Sequence, residues 1–180
     1  ILMLLKDEEL ENTRLLEKIV SLKSDALNSF ANETAYWDDM VRFTETSDTA
    51  WAVANVDCSF ETFKVDYAWV FSKDFIPLYF SSWEYSPQID PAVITGEMLA
   101  RLTSKSRLFR FYIKTNAGII ELSGATIHPT LDPRRLGEPR GVFIVGRLWS
   151  EIHLGEISDL TTSSVELIDL KSRDSIENDN

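Results

Sequence analysis

No proline occurs before Pro77 and no glycine before Gly96. The opening of the chain therefore lacks the two residues that most readily end a helix. From Lys6 to about Thr46 it is rich in Leu, Glu, Lys and Ala, all strong helix formers. Leu15, Ile19, Leu22, Ala26 and Phe30 recur in steps of three and four, and Tyr36, Trp37, Met40 and Val41 extend that stripe. One helix of about 40 residues would be about 60 Å long, more than a small domain can cover. Its first half needs a partner, which a dimeric coiled coil or a stalk supplies. The alternative is two shorter helices broken near Asn28 or Asn32.

After Thr46 the periodicity weakens into a loop and short helical turns up to Lys64, and then it becomes two. Val65, Tyr67, Trp69 and Phe71 alternate with Asp66, Ala68, Val70 and Ser72, which predicts a strand. A turn at Lys73-Asp74-Phe75-Ile76 and a second strand from Pro77 to Trp83 complete a hairpin. Asp90-Pro91 can cap a short helix, and Thr95–Thr103 places Met98, Leu99 and Leu102 on one helical face. Leu108–Thr115 alternates again, Asn116-Ala117-Gly118 is a tight-turn signal, and Ile119–His128 returns as a strand. A basic loop from Pro129 to Pro139 leads to a fifth strand, Gly141–Trp149. A helix over Ser150–Thr161 and a last short strand at Val165–Ile168 are predicted beyond it. This order predicts an α+β fold, a five-stranded antiparallel sheet with helices on its faces. Residues 1–30 then form a stalk helix, 31–170 the domain proper, and 171–180 a polar tail or linker.

Composition removes whole classes of function. Over 180 residues the formal charge is −11, which opposes nucleic acid and anionic membrane surfaces. Cys58 is the single cysteine, so there is no internal disulfide and no cysteine-based zinc site. Nothing reaches the roughly 18 apolar residues of a membrane span. The opening run Ile1-Leu2-Met3-Leu4-Leu5 reads either as a frayed or partner-packed helix start or as the last turn of a span.

Catalytic constellations are scarce. Asp38 and Asp39 are adjacent, so on a helix they point about 100° apart and do not share a site. His128 and His153 sit in unrelated contexts, and no nucleophile elbow, phosphate-cradling loop or Cys/His pair occurs. A hydrolase using Asp38 would need a second carboxylate or histidine brought to it by the fold. No enzyme activity and no cofactor are expected of this domain. Binding is better supported, because aromatic and polar residues share strands in the manner of a small-molecule pocket. The candidate ligand-binding residues are Trp83, Tyr85, Arg110, Tyr112, His128 and Arg147. Arginines favour a carboxylate or similar anion, although each can equally pair with a carboxylate of this acidic chain.

Tyr36-Trp37-Asp38-Asp39 with Phe43, then Asn55, then Val65–Phe71, then Gly118 and Thr126-Ile127 before Pro129, then Gly141–Leu148, resemble the fourth class of CHASE extracellular sensory domains. The resemblance spans about Ala31 to Leu160. It implies a PAS/Cache-like fold, placement outside the membrane of a bacterial or archaeal receptor, and flanking transmembrane helices. It also implies a histidine kinase or diguanylate cyclase output domain elsewhere in the protein. The chain departs from the family at Gly146-Arg147-Leu148-Trp149-Ser150, where Gly-Arg-Tyr-Leu-Asp is common, and in lacking the usual glycine at Lys73–Ile76. The expected function is a membrane-tethered sensor of a small molecule, homodimeric through the N-terminal helix; the alternative is a dimerisation module without ligand. Tyr36, Trp37, Asp38 and Asn55 then form a structural joint. Trp37 anchors the long helix against the sheet, and Asp38 holds a cap or backbone hydrogen bond.

Overall fold

A computed structural model describes residues 2–161 and 164–167, with side chains described from residue 12 onward. The first helix, α1, runs Leu2–Ala35, and α2 runs Asp38–Thr46. The predicted single helix to Thr46 is therefore interrupted, and the break falls at Tyr36-Trp37 rather than near Asn28 or Asn32. Trp37 is extended (φ −144°, ψ 130°). The cause is tertiary. The Ala35 carbonyl, which a continued helix would offer to Asp39, instead accepts the His128 N–H at 3.0 Å. The last turn tightens, with Tyr36 N donating to the Glu33 carbonyl at 3.1 Å.

Short helices α3 (Thr49–Asn55) and α4 (Phe60–Phe63) follow, joined by a 3₁₀ turn. Asp48 caps α3 by accepting from Trp51 N at 3.2 Å. The strands are β1 Tyr67–Ser72, β2 Pro77–Ser82, β3 Leu108–Thr115, β4 Gly118–Ile127 and β5 Gly141–Leu148. Helix α5, Gly96–Thr103, lies between β2 and β3, its N-terminus capped by Thr95. All pairings are antiparallel, in the order β2-β1-β5-β4-β3. The α+β sheet expected from the alternation is thus present. No strand forms at 165–167, Ile168 and the predicted tail 171–180 lie outside the described residues, and so do the side chains of Ile1–Leu5. No described helix is long and apolar enough to cross a membrane.

Two compact units divide the chain: Leu22–Trp149, and residues 1–21 together with 150–180. The second contains α6, Glu151–Thr161, which buries His153, Ile157 and Thr161. In the first, period-two alternation gives the sheet two apolar faces. One carries Ala68, Val70, Ala125, Ile127, Phe143 and Val145, packed with Leu27, Phe30, Ala31 and Ala35 of α1 and with Met40, Phe43, Ala52 and Phe60. The other carries Tyr67, Trp69, Phe71, Ile120, Leu122, Val142 and Ile144, packed with Ile89, Ile94 and Leu99. Ring donors pin the segment before α5 to this second face, Tyr67 Oη to the Pro87 carbonyl at 2.8 Å and Trp69 Nε1 to that of Pro91 at 3.2 Å. Burial pushes the Tyr67 phenol up to about 12, with nearby Asp66 adding to it.

Trp37 is half-buried, its ring 5.3 Å from that of Trp51 in α3. Full burial of such a ring is worth about 3–5 kcal/mol against alanine, so Trp37→Ala is expected to cost about 2 kcal/mol. Urea unfolding measures this, and a loss as large as for a fully buried ring would mean that the Trp37–Trp51 contact is tighter than described. Asn55 stays within its own helix, donating Nδ2 to the Trp51 carbonyl at 2.8 Å.

Candidate functional site

Antiparallel pairing brings four strand ends together at one edge of the sheet. Gly141, which opens β5, is the register partner of both Ser72 at the end of β1 and Ile127 at the end of β4, and β3 begins alongside. An open cleft of about 180 Å³ lies there, lined by Lys73, Phe75, Thr103, Arg107, Thr126, Pro139, Gly141 and Val142. That is smaller than the roughly 300 Å³ at which pockets for drug-sized ligands begin, so it suits a ligand of few atoms.

Local conformation shapes the walls. In the Lys73–Ile76 turn no glycine supplies the left-handed residue, and Phe75 adopts it itself, at φ 60°. For a bulky L-residue that costs roughly 1–2 kcal/mol. Phe75 N bonds the Ser72 carbonyl at 3.0 Å, Ser72 Oγ accepts from Asp74 N and Ile76 N, and the ring packs against the second core face. Gly141 sits where an added Cβ would lie 2.3 Å from the Phe71 carbonyl oxygen.

Thr126, fully buried on the cleft wall, leads inward. Its Oγ1 is 3.0 Å from His128 Nε2, and His128 Nδ1 is 3.0 Å from Asp132 Oδ2. Asp132 also accepts from the N–H groups of Leu136 and Gly137, which hold its carboxyl below the usual range. A carboxylate on Nδ1 makes that nitrogen the protonated one, so Thr126 donates to Nε2. Hydroxyl, imidazole and carboxylate in this order could activate a nucleophile. However, the Thr126 N–H that would stabilise an oxyanion is spent on the Arg107 carbonyl at 2.9 Å. The chain acts instead as a brace between the cleft and the segment after β4.

That segment is bonded to the α1–α2 break. His128 N holds Ala35 as described, and Arg135 Nη2 donates to the Asn32 carbonyl at 2.7 Å, its guanidinium 5.6 Å from the Tyr36 ring centroid. The Tyr36 hydroxyl donates to the Thr130 carbonyl. Asp38 accepts from both Thr130 N, at 2.9 Å, and the Thr130 hydroxyl, and these bonds hold its carboxyl below the usual range. Asp38 thus holds a backbone amide of another segment, and among the described residues no histidine or second carboxylate bonds to it. Asp39 pairs outward with Arg42 at 2.9 Å.

The residues singled out by sequence fall in three places, none on the cleft wall. Trp83 and Tyr85 lie after β2 with rings 5.8 Å apart, Trp83 half-buried beside Phe60 and Tyr85 79% exposed. Arg110, Tyr112 and Arg147 gather around Glu121: Tyr112 and Arg147 are its register partners on either side, and Arg110 Nη1 is 3.8 Å from its Oε1. Glu121 is buried and sets a carboxylate among the arginines, which disfavours an anionic ligand there. Burial, with Glu121 beside it, pushes the Tyr112 phenol up. Arg147 is 4% exposed and donates to three backbone carbonyls, Lys64 at 2.9 Å, Phe63 at 2.9 Å and Lys23 at 2.8 Å. His128 stands behind the cleft, one side chain inward. The cleft residues Lys73, Thr103, Arg107 and Thr126 were missed because each is unremarkable in its own segment. The available signal was that all four lie at or just beyond an element end, on ends that antiparallel pairing makes neighbours. Among the described residues, no group of three His, Cys, Asp or Glu side chains could hold a metal ion.

Burial of the His128 imidazole lowers its pKa from the ordinary 6.5, outweighing the opposing pull of Asp132. The unfolded chain therefore takes up a proton near 6.5, and the folded chain only at lower pH. Stability is expected to be level above about 6.5 and to fall as pH drops from there towards the folded value. His128→Gln should flatten that part of the profile in urea titrations at stepped pH, and an unchanged slope would place the titrating group elsewhere.

No curated protein matches the chain significantly in sequence. In fold it is similar to two crystal structures of the periplasmic domain of LuxQ from Vibrio cholerae. They superpose with TM-scores of 0.57 and 0.55 at 11% identity, each over 85% of this chain and 70% of the other. The likeness is one of fold: this chain's long N-terminal helix and five-stranded antiparallel sheet form a PAS-like architecture. At the level of sequence pattern, residues 19–168 match the CHASE4 domain model. That match runs from within α1, through the interrupted helix and all five strands, to beyond α6, and the chain belongs to the CHASE4 family of extracytoplasmic sensor domains.

Proposed function

We propose that this domain is the sensing module of a membrane-tethered receptor with a histidine kinase or diguanylate cyclase output. It responds to a small molecule, transmits the response through α1, and pairs with a second copy along that helix. The observation that carries the reading is the bonding of the α1–α2 break to the segment after β4. Ala35, Tyr36 and Asp38 each hydrogen-bond into His128–Thr130, two residues from the cleft wall at Thr126. A displacement of that wall therefore reaches the end of α1 through hydrogen bonds, without crossing the apolar core. CHASE4 membership supports the extracytoplasmic sensor role, and the fold likeness to a domain described as periplasmic agrees with it. Leu15 and Leu22, 42% and 60% exposed on α1, offer apolar surface for a second helix.

The test uses the full-length receptor carrying Tyr36→Phe and Asp38→Ala. Because both side chains bond at the surface, the melting temperature is expected to change by less than about 5 °C. Basal output is expected to shift, since the break is no longer held. Unchanged output from a folded receptor overturns the reading.

A further inference from the structure

We propose that the cleft at the sheet end is a binding site for a small oxyanion, a carboxylate or phosphate of few heavy atoms, gripped by Arg107 and Lys73. This rests on the sensor reading and names the chemical class of what is sensed.

Charge placement carries the case. The chain has 29 acidic residues against 18 basic ones, so a concave surface carrying cations and no carboxylate stands apart from its composition. Four other arginines have partners: Arg42 pairs with Asp39, Arg110 with Glu121, Arg135 bonds backbone carbonyls and Arg147 bonds three. Arg107 is half-buried, and neither its guanidinium nor the Lys73 ammonium has a hydrogen-bond or ion-pair partner among the described residues. Both line one concave cleft with no carboxylate on its wall; Asp74 and Glu138, next in sequence to the lining residues Lys73 and Pro139, do not line it. Two like charges facing a partly dehydrated cleft repel each other and favour an anion between them. A guanidinium offers the bidentate fork that carboxylate and phosphate oxygens match, and an ammonium adds a point charge.

The apolar part of the wall fits such a ligand. Phe75, Pro139 and Val142 make the sides apolar, which strengthens a charge pair by excluding water, while the Thr103 and Thr126 hydroxyls donate away from the cleft, to the Leu99 carbonyl at 2.8 Å and to His128 Nε2. Phe75 is also the residue held in the left-handed region, and such strained positions cluster at ligand clamps. Occupancy has a route outward, because Thr126 on the wall is hydrogen-bonded to His128, whose N–H holds the last carbonyl of α1.

The experiment is calorimetric titration of the 180-residue chain with acetate, inorganic phosphate and, as the neutral isostere, acetamide, at constant ionic strength. Saturable binding of acetate or phosphate and none of acetamide is expected, and the stronger of the two identifies the source chemistry. Arg107→Gln and the exposed Lys73→Gln should each weaken that binding at least tenfold, whereas Arg110→Gln, outside the cleft, should leave it unchanged. Lys73→Gln keeps the test valid if Arg107→Gln does not fold. Absence of saturable anion binding, binding indifferent to both cleft variants, or loss with Arg110→Gln overturns the site. The two readings fail separately: anion binding that leaves output of the full-length receptor unmoved sinks the sensor role alone. A receptor whose output responds to Tyr36→Phe and Asp38→Ala while the domain binds no anion sinks the site alone.

Discussion

Arg147→Met is expected to destabilise the domain by roughly 3–5 kcal/mol, the range seen when one member of a buried charged network is removed. The guanidinium donates to Lys64 and Phe63, at the C-terminal end of α4, and to Lys23 of α1, all from β5. Phe63 and Lys64 need an outside donor because a helix leaves its final carbonyls unpaired, and Lys64 at φ 54° turns the chain out of the helix. Methionine fills similar volume but donates nothing, so three part-buried carbonyls lose a charged donor, at about 1 kcal/mol each after water replaces it, and a side chain only 4% exposed loses its bonds. It also leaves Glu121, the register partner of Arg147, buried without that positive neighbour. Arg147→Lys should recover only part of the loss, because one ammonium cannot span three carbonyls on two elements. Equilibrium urea unfolding decides the matter. A cost below about 1 kcal/mol would show that the three bonds contribute little net stability.

Gly141→Ala is expected to cost at least about 3 kcal/mol, or to prevent folding, because the obstacle is backbone. An added Cβ meets the Phe71 carbonyl oxygen at 2.3 Å, with Ile127 and Thr44 side chains each at 3.2 Å. Side chains could give way, but the carbonyl belongs to β1, directly paired with β5, and moving it disturbs the ladder between the two central strands. Gly141 also lines the cleft, so any variant that does fold should bind anions more weakly. Thermal melts compare it with Gly118→Ala, which sits at φ 126° with its added Cβ at an ordinary 3.5 Å from Leu148. Of the two only Gly118 has a left-handed φ, so backbone strain alone would make Gly118→Ala the worse, whereas the steric account requires Gly141→Ala to be clearly worse.

Much of the sheet was legible in the sequence, because period-two alternation is a local property. Leu108–Thr115 was bounded to the residue, with Phe109, Phe111 and Ile113 turned inward from Arg110, Tyr112 and Lys114. The end of the long helix was not legible, since nothing within Lys6–Thr46 breaks a helix. What breaks it is an N–H from His128, far along the chain, and no window around Tyr36 contains that information. Arginines show the same limit. Arg107, Arg110 and Arg147 look alike in sequence, each beside or within a strand. Folding gives one of them three carbonyls, another a buried carboxylate, and leaves the third facing a cleft. Side-chain type indicates that a charge is present, and only register indicates what it meets.

The Ala35 carbonyl lies 3.0 Å from the His128 nitrogen, and in a helix running on into α2 the same oxygen would have to serve Asp39. Helix continuation and the docking of His128 thus compete for one acceptor, so a longer helix is one that has let go of β4. The two arrangements differ in which amide is shielded from solvent, and deuterium uptake at His128 becomes a ruler for the length of α1.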